Sequence, residues 1–358
     1  MYSFPGQEFL YDQKYYRWDQ LLSEGKNLIP DQGFAEFCID WAKGKKLFKQ
    51  KTSGSTGKPK IIQLKRDHME ISARLTIQHL GLNHNYRSLI CLDANYIAGK
   101  MMIVRSFLAG MMIEAQTPGS NPLMSLVDGG DQYFTALVPM QMHSIVKKYG
   151  LNHPLYNRIG RVIIGGAPVN YQLQEIILQL PFPVYLTYGM TETVSHIALR
   201  RLNGPERSGL FELLPGVKID QDQENRLMIK SEVTDNQWLV TNDLVEIKDQ
   251  NHFKWIGRKD NIINSGGVKI NPEPVENELA RLFHHFGIMR NFFLTGIPDQ
   301  KFGEKLVLIM EGEPLNLEVE GLLKEELEDL FDSFHQPKNF IYLAKFQRTE
   351  TGKIIRRI

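Results

Sequence analysis

Between residues 132 and 187 the chain alternates short apolar runs with capped helical stretches, and this rhythm constrains the fold more than any other feature. "QYFTALV" (132–138) has the length and composition of a buried strand, and Pro139 then opens a helical segment that ends at Gly150. "RVIIGG" (161–166) is a second strand, "NYQLQEIILQL" (170–180) a helix stopped by Pro181, and "FPVYLT" (182–187) a third strand. Strand, helix, strand, helix, strand is the pattern of a parallel sheet with right-handed crossovers. Ligands of such sheets collect beyond the carboxyl ends of the strands. Two polar or glycine-rich segments fall there: "GGAPV" (165–169) and "YGMTETVSH" (188–196).

The flanks extend this α/β reading. Asp67 and Glu70 form a D-x-x-E start signal for a helix closed by Gly81, and "RSLICL" (87–92) reads as a buried strand. From about residue 205 the runs "NRLMIKS", "WLVTND", "LVEIKD" and "HFKWIG" are short strands with polar turns, which predicts a small β subdomain. After Asp260 the pattern becomes helix (273–286), strand (291–297), strand (305–311), helix (317–334) and strand (339–345). The expected organisation is therefore a large domain over 1–259 and a small α+β domain over 260–358. The acidic run in 318–332 reads as a solvated helix face.

Composition removes several classes of function. The 358 residues carry a formal net charge of +1, so no global basic field argues for nucleic acid or an anionic membrane. Hydrophobic content of 42% and charged content of 23% belong to ordinary globular chains. Cys38 and Cys91 have no metal-ligand spacing and read as buried thiols of a reducing compartment. No stretch reaches the ~18–20 apolar residues of a membrane span. The N-terminus lacks a basic segment followed by an apolar run, so a cytoplasmic location is the expectation.

"KTSGSTGKPK" (51–60) gathers glycines, hydroxyls and lysines, the materials of a phosphate cradle. It is not a G-x-x-x-x-G-K-[ST] loop, because Thr52 stands at the first glycine and Pro59 follows Lys58. Alone, such a stretch reads as a surface linker. It is not alone. T-S-G-S-T-G-x-P-K, "GGAP" (165–168), "YGMTET" (188–193), "WLVTNDL" (238–244), "GRKDNIINSGGVKINPEPVE" (257–276) and "RTETGKIIR" (348–356) occur in one order along the chain. Together they resemble the motifs of the adenylate-forming superfamily, of the acyl-CoA synthetase type. Asn242 stands where that family's pattern has glycine, and only fifty residues precede the loop.

The resemblance implies an ATP-dependent acid–CoA ligase that works through an acyl-AMP, with ATP, Mg²⁺ and coenzyme A as its small-molecule partners. A large adenylate-forming domain would be joined to a small mobile domain. Thr52, Ser53, Gly54, Ser55, Thr56, Gly57 and Lys58 would hold the β- and γ-phosphates, and Gly165, Gly166, Ala167 and Pro168 would face the adenine. Tyr188, Gly189 and Met190 would belong to the same nucleotide site. Thr191 would touch the α-phosphate and Glu192 would hold Mg²⁺; a bare T-E pair after a strand also reads as a helix start. Asp243, assisted by Arg258, would accept the ribose hydroxyls, against the alternative of a hairpin-turn aspartate. Lys353 would bridge the acid and the α-phosphate, against the alternative of a frayed basic tail. Asp260 would be the pivot that brings Ser265, Gly266 and Gly267 to the site for the pantetheine arm.

The run "YGMTETVSHIALR" and the short chain resemble, within this family, the ligases that act on o-succinylbenzoate in menaquinone biosynthesis. Ser195, His196 and Arg200 are then candidates for reading the second carboxylate, while Arg200-Arg201 also reads as a surface pair. The alternatives are another aryl- or acyl-CoA ligase and a stand-alone enzyme loading a carrier protein. The resemblance leaves room for a homodimer.

Overall fold

The computed structural model describes residues 4–51, 61–126, 130–349 and 354–356. Its centre is a parallel block in which Val184–Gly189, Ile159–Ile164, Gln132–Leu137, Tyr86–Ile90, Met112–Ala115 and Glu8–Tyr11 lie side by side. Both faces of this block are covered, as the uninterrupted apolar runs require. Phe134, Ala136 and Ile163 face the cluster containing Phe34, Trp41 and Met101. Tyr133, Leu137, Val162 and Ile164 face a second cluster with Met142, Leu173 and Ile177. The expected helices are Pro139–Tyr149 and Tyr171–Leu178, the latter capped by Asn170 Oδ1, which accepts from Leu173 N at 2.9 Å.

Two sequence expectations shift in detail. The helix expected from Asp67 spans Arg66–Leu80, with Gly81 left-handed at its end. Lys65 occupies the cap, and Glu70 accepts from Arg66 Nε at 2.8 Å instead of closing a capping box. The β strands after residue 205 continue the parallel block within one sheet. His196–Arg201 pairs antiparallel with Val184–Gly189, and Phe211–Leu213, His252–Arg258, Leu239–Ile247, Arg226–Lys230 and Lys218–Gln221 follow outward. The described residues of this sheet form thirteen strands.

A separate sheet follows residue 262. Val268–Ile270, Ile263–Ser265, Gly303–Glu311 and Phe292–Asp299 are antiparallel neighbours, and Asn339–Leu343 adds in parallel to Gly303–Glu311. Leu279 and Phe283 of helix Pro272–His285, with Leu323 and Leu327 of Leu317–Leu330, bury one face of it. The chain end is anchored to this unit. Arg348 bridges Ile354, Ile355 N donates to Gln347 O at 2.9 Å, and Arg356 grips Glu276 through two bonds of 2.8 and 2.6 Å. Residues 354–356 are thus held, which a frayed tail would not be.

Glu276 offers a test of that anchor. Burial outweighs the guanidinium and pushes its carboxyl up to about 7, from 4.5. A carboxyl raised on folding contributes stability that is complete below its unfolded value and lost as pH rises through its folded one. Glu276→Gln does not titrate. Wild-type urea midpoints are therefore expected to fall relative to the variant between about pH 4.5 and 7; a constant difference across that window would refute the assignment.

Candidate active site

The carboxyl ends of Ile159–Ile164 and Val184–Gly189 lie at the same edge, because the two strands are parallel and paired. Gly165–Pro168 and Gly189–His196 emerge there side by side. Thr187 Oγ1 donates to Ile164 O at 3.2 Å across the pair, so close that a Cβ on Gly165 would overlap that hydroxyl. Residues 190–195 must reverse the chain between two antiparallel strands in little space. They do so with a single 3₁₀ turn, Thr191–Thr193, followed by Val194 at φ 64°, ψ −53°. Ser195 N donates to Thr193 O at 2.7 Å, which makes Val194 the centre of a γ-turn of the rare, strained hand. Gly189 is forced by the same geometry, since a side chain there would run into Ser195 O and His196 Cα. The turn leaves Glu192 exposed and buries His196.

Asp243 lies within the strand Leu239–Ile247, not at a turn. It is buried, with Arg258 opposite it on His252–Arg258. Tyr188 Oη donates to Oδ2 at 2.7 Å and Trp255 Nε1 to Oδ1 at 3.1 Å; Arg258 Nη1 is 3.9 Å from Oδ1. Burial, reinforced by the neighbouring carboxylate, pushes the Tyr188 phenol well above its usual range, so it stays a donor. Each Asp243 oxygen retains a further lone pair, enough for a pair of vicinal hydroxyls. Tyr188 is thus the residue that fixes the aspartate, a role invisible in sequence because fifty-five positions separate them.

Thr191 and Glu192 open on a cavity of about 300 Å³ whose far wall includes Gln63 and Lys65 of the strand Ile61–Lys65. That strand pairs with Leu47–Lys51 up to Lys51↔Ile61, the positions that bracket the glycine-rich loop. Thr52 to Lys58, and Lys353, lie outside the described residues. Glu192 has no basic partner among the described residues, and no cluster of three or more metal-ligating side chains occurs among them. A carboxylate with no basic partner among the described residues, facing this cavity, fits Mg²⁺, which uses few protein ligands and takes the rest from phosphates and water.

The residue that sequence reasoning missed is Arg105, on helix Ile97–Ala109. It is 1% exposed and, among the described residues, has no acidic partner. Nη2 donates to Ser195 Oγ at 2.8 Å, and Nε has no partner among the described residues. Burial pulls its guanidinium down to about 9, which leaves it charged at neutral pH. A buried lone cation is costly unless an anion arrives to meet it. The signal was present: a single arginine in the apolar stretch "MMIVRSFLA" (101–109). Of the three residues proposed from sequence, Ser195 touches Arg105 directly. His196 lies between Ser195 and Thr76, held well below its ordinary range by burial and by the Arg105 charge. Arg200 stacks over Phe211 at 5.3 Å and Arg201 over Tyr185 at 4.8 Å, so neither is a free surface cation.

Asp260 lies in the one-turn helix Lys259–Asn261. Its carboxylate accepts from Arg258 Nη2 at 3.0 Å and Asn242 Nδ2 at 3.2 Å. Gly266 and Gly267, at φ +57° and +83°, form the two-residue turn between Ile263–Ser265 and Val268–Ile270. Two successive positive φ angles make glycine the natural occupant.

These features belong to enzymes that activate acids with a nucleotide, and comparison with known proteins agrees. A family model described as AMP-binding enzyme matches residues 47–227, just over half of the chain. The chain belongs to that family. A solved structure of an acyl-CoA synthetase (AMP-forming)/AMP-acid ligase II-like protein from Dyadobacter fermentans is 40% identical, with a TM-score of 0.63 over 94% of this chain and 95% of that one. A 2-succinylbenzoate–CoA ligase of Oceanobacillus iheyensis is 25% identical over 85% of this chain and 67% of its own. The o-succinylbenzoate CoA synthetase of Bacillus subtilis, in complex with the acyl-adenylate intermediate, shares the fold at a TM-score of 0.70, with 23% identity over 86% of this chain and 67% of its own. No helix among the described residues is long and apolar enough to cross a membrane.

Proposed function

We propose that the chain is an ATP-dependent acid–CoA ligase whose acid is o-succinylbenzoate, acting in menaquinone biosynthesis in the cytoplasm. Family membership supports the reaction class. The observation that carries the substrate is Arg105, a buried cation without an acid among the described residues, joined through Ser195 to the turn that bears Thr191 and Glu192. o-Succinylbenzoate has two carboxylates. The succinyl one reacts; the ring carboxylate is the anion that Arg105 lacks.

The chemistry sets anion against anion, so the protein supplies charge, donors and positioning. The succinyl carboxylate attacks the α-phosphorus of ATP; a P–O bond to pyrophosphate breaks and acyl-AMP forms. The thiol of coenzyme A then attacks the acyl carbon, loses its proton and expels AMP. Asp243, fixed by Tyr188 and Trp255, accepts the ribose hydroxyls, with Arg258 beside it. Gly165 to Pro168 and Gly189-Met190 line the adenine side, and Thr191 contacts the α-phosphate. Mg²⁺, held by Glu192, would offset phosphate charge. Thr52 to Lys58 hold the departing pyrophosphate, and Lys353 reaches in from the 260–358 domain. Rotation at Asp260 then exchanges Lys353 for Ser265, Gly266 and Gly267. The proposed partners are these small molecules and, in assembly, a second copy of the chain.

A substrate panel with ATP, Mg²⁺ and coenzyme A tests this. o-Succinylbenzoate is expected to give pyrophosphate and thioester. A site built for a buried polar group rejects the analogue lacking it by ~10⁴. 4-Oxo-4-phenylbutyrate, which lacks the ring carboxylate, should trail in kcat/KM by about that factor, with benzoate and a medium-chain fatty acid also poor. Equal use of the keto acid or the fatty acid would reduce the proposal to a general acyl-CoA ligase. Pyrophosphate release without thioester would redirect it to carrier loading.

A further inference from the structure

Behind Arg105 runs a chain of hydrogen bonds whose polarity follows from its first link, Thr76 to its own helix. Thr76 Oγ1 donates its only proton to Ser72 O at 3.1 Å, within helix Arg66–Leu80. Toward His196 Nε2, 3.0 Å away, it therefore offers lone pairs, and Nε2 must carry the proton. His196 is 6% exposed, with Arg105 and His79 as the charged or titratable groups acting on it, and it is held neutral. A neutral ring protonated at Nε2 has a bare Nδ1. That nitrogen is 3.4 Å from Ser195 Oγ and accepts its proton. The serine hydroxyl is then left as a pure acceptor for Arg105 Nη2, at 2.8 Å.

We propose that Thr76 and His196 are positioning residues that aim Arg105 through Ser195, and so set how strongly a ring-borne carboxylate is discriminated. This rests on the reading of Arg105 given above. Thr76 itself meets His196 and its own helix, and needs no contact with substrate. Without its acceptor, nothing keeps the proton on Nε2. A ring that moves the proton to Nδ1 donates to Ser195. The serine oxygen must then share its lone pairs between that ring and Arg105, and its own proton no longer ties it to His196.

The test compares Thr76→Val, close in volume but without the hydroxyl, with Thr76→Ser, which restores it. The readout is the ratio of kcat/KM for o-succinylbenzoate over 4-oxo-4-phenylbutyrate. A hydrogen bond to a charged group is worth ~1.5–3 kcal/mol, so losing its orientation should cut the ratio ~10-fold or more in the valine variant. The serine variant should recover it to within about twofold, and kcat/KM for the keto acid should hold in both. Arg105→Lys separates the two ideas. If it leaves the ratio unchanged, the reading of Arg105 fails. If it collapses the ratio while Thr76→Val does not, the relay fails. Should Thr76→Val not fold, ¹⁵N-histidine spectra of the wild-type chain decide: Nε2–H at His196 is expected, and Nδ1–H would overturn the relay.

Discussion

Arg105→Leu is expected to make the protein more stable and nearly useless to its acid. In the substrate-free chain the guanidinium is desolvated and, among the described residues, has no carboxylate to meet. Exchanging buried charge for an apolar group of similar volume is often neutral or stabilising by ~1–4 kcal/mol. The melting temperature should therefore hold or rise. Removing one partner of a buried charge pair typically costs ~2–5 kcal/mol in binding, so kcat/KM for o-succinylbenzoate should fall on the order of 10³-fold. The gap between that acid and 4-oxo-4-phenylbutyrate should narrow from ~10⁴ to roughly tenfold. Opposite signs in stability and recognition are characteristic of a site residue, where function is retained against folding. A variant that melts lower and loses both acids alike would mark Arg105 as a packing residue.

Lys353→Ala is expected to separate the two half-reactions. The proposed role is to neutralise charge as the succinyl carboxylate meets the α-phosphate, and then to withdraw. Losing one placed electrostatic donor typically costs ~10²–10³ in rate. Pyrophosphate release should drop by about that much, while conversion of supplied acyl-AMP and coenzyme A to thioester persists. Its neighbours Ile354 to Arg356 are pinned through Gln347, Arg348 and Glu276, so the alanine variant should keep the chain end in place. Equal damage to both half-reactions would remove the lysine from the first step alone.

The parallel block was legible because strand periodicity and helix punctuation are local: Pro139, Gly150 and Pro181 mark ends wherever they occur. Asp243 was singled out by its motif, but its conformation was not legible; only pairing opposite Arg258 shows that it lies mid-strand. The continuity of the strands after residue 205 with the parallel block was not legible. His196–Arg201 must reverse direction beside Val184–Gly189, and nothing local names its partner. Arg105 illustrates the same limit. What marks it is that no acid among the described residues meets it, which is a property of space. Thr76 is further still, for a threonine mid-helix announces nothing until His196, 120 positions away, is found against it.

Asn242, where the family's pattern has glycine, places an amide 3.2 Å from the carboxylate of Asp260. Both residues are exposed, so water competes for the bond and its net worth is at the low end of ~0.5–1.5 kcal/mol. If the small domain turns at Asp260, that contact breaks on every turnover. A bias of this size changes the ratio of two arrangements by only ~2–10-fold, far from the ~10⁴ that would trap one of them. Under the proposed rotation at Asp260 the asparagine would act as a detent, slowing departure from one orientation without forbidding the other.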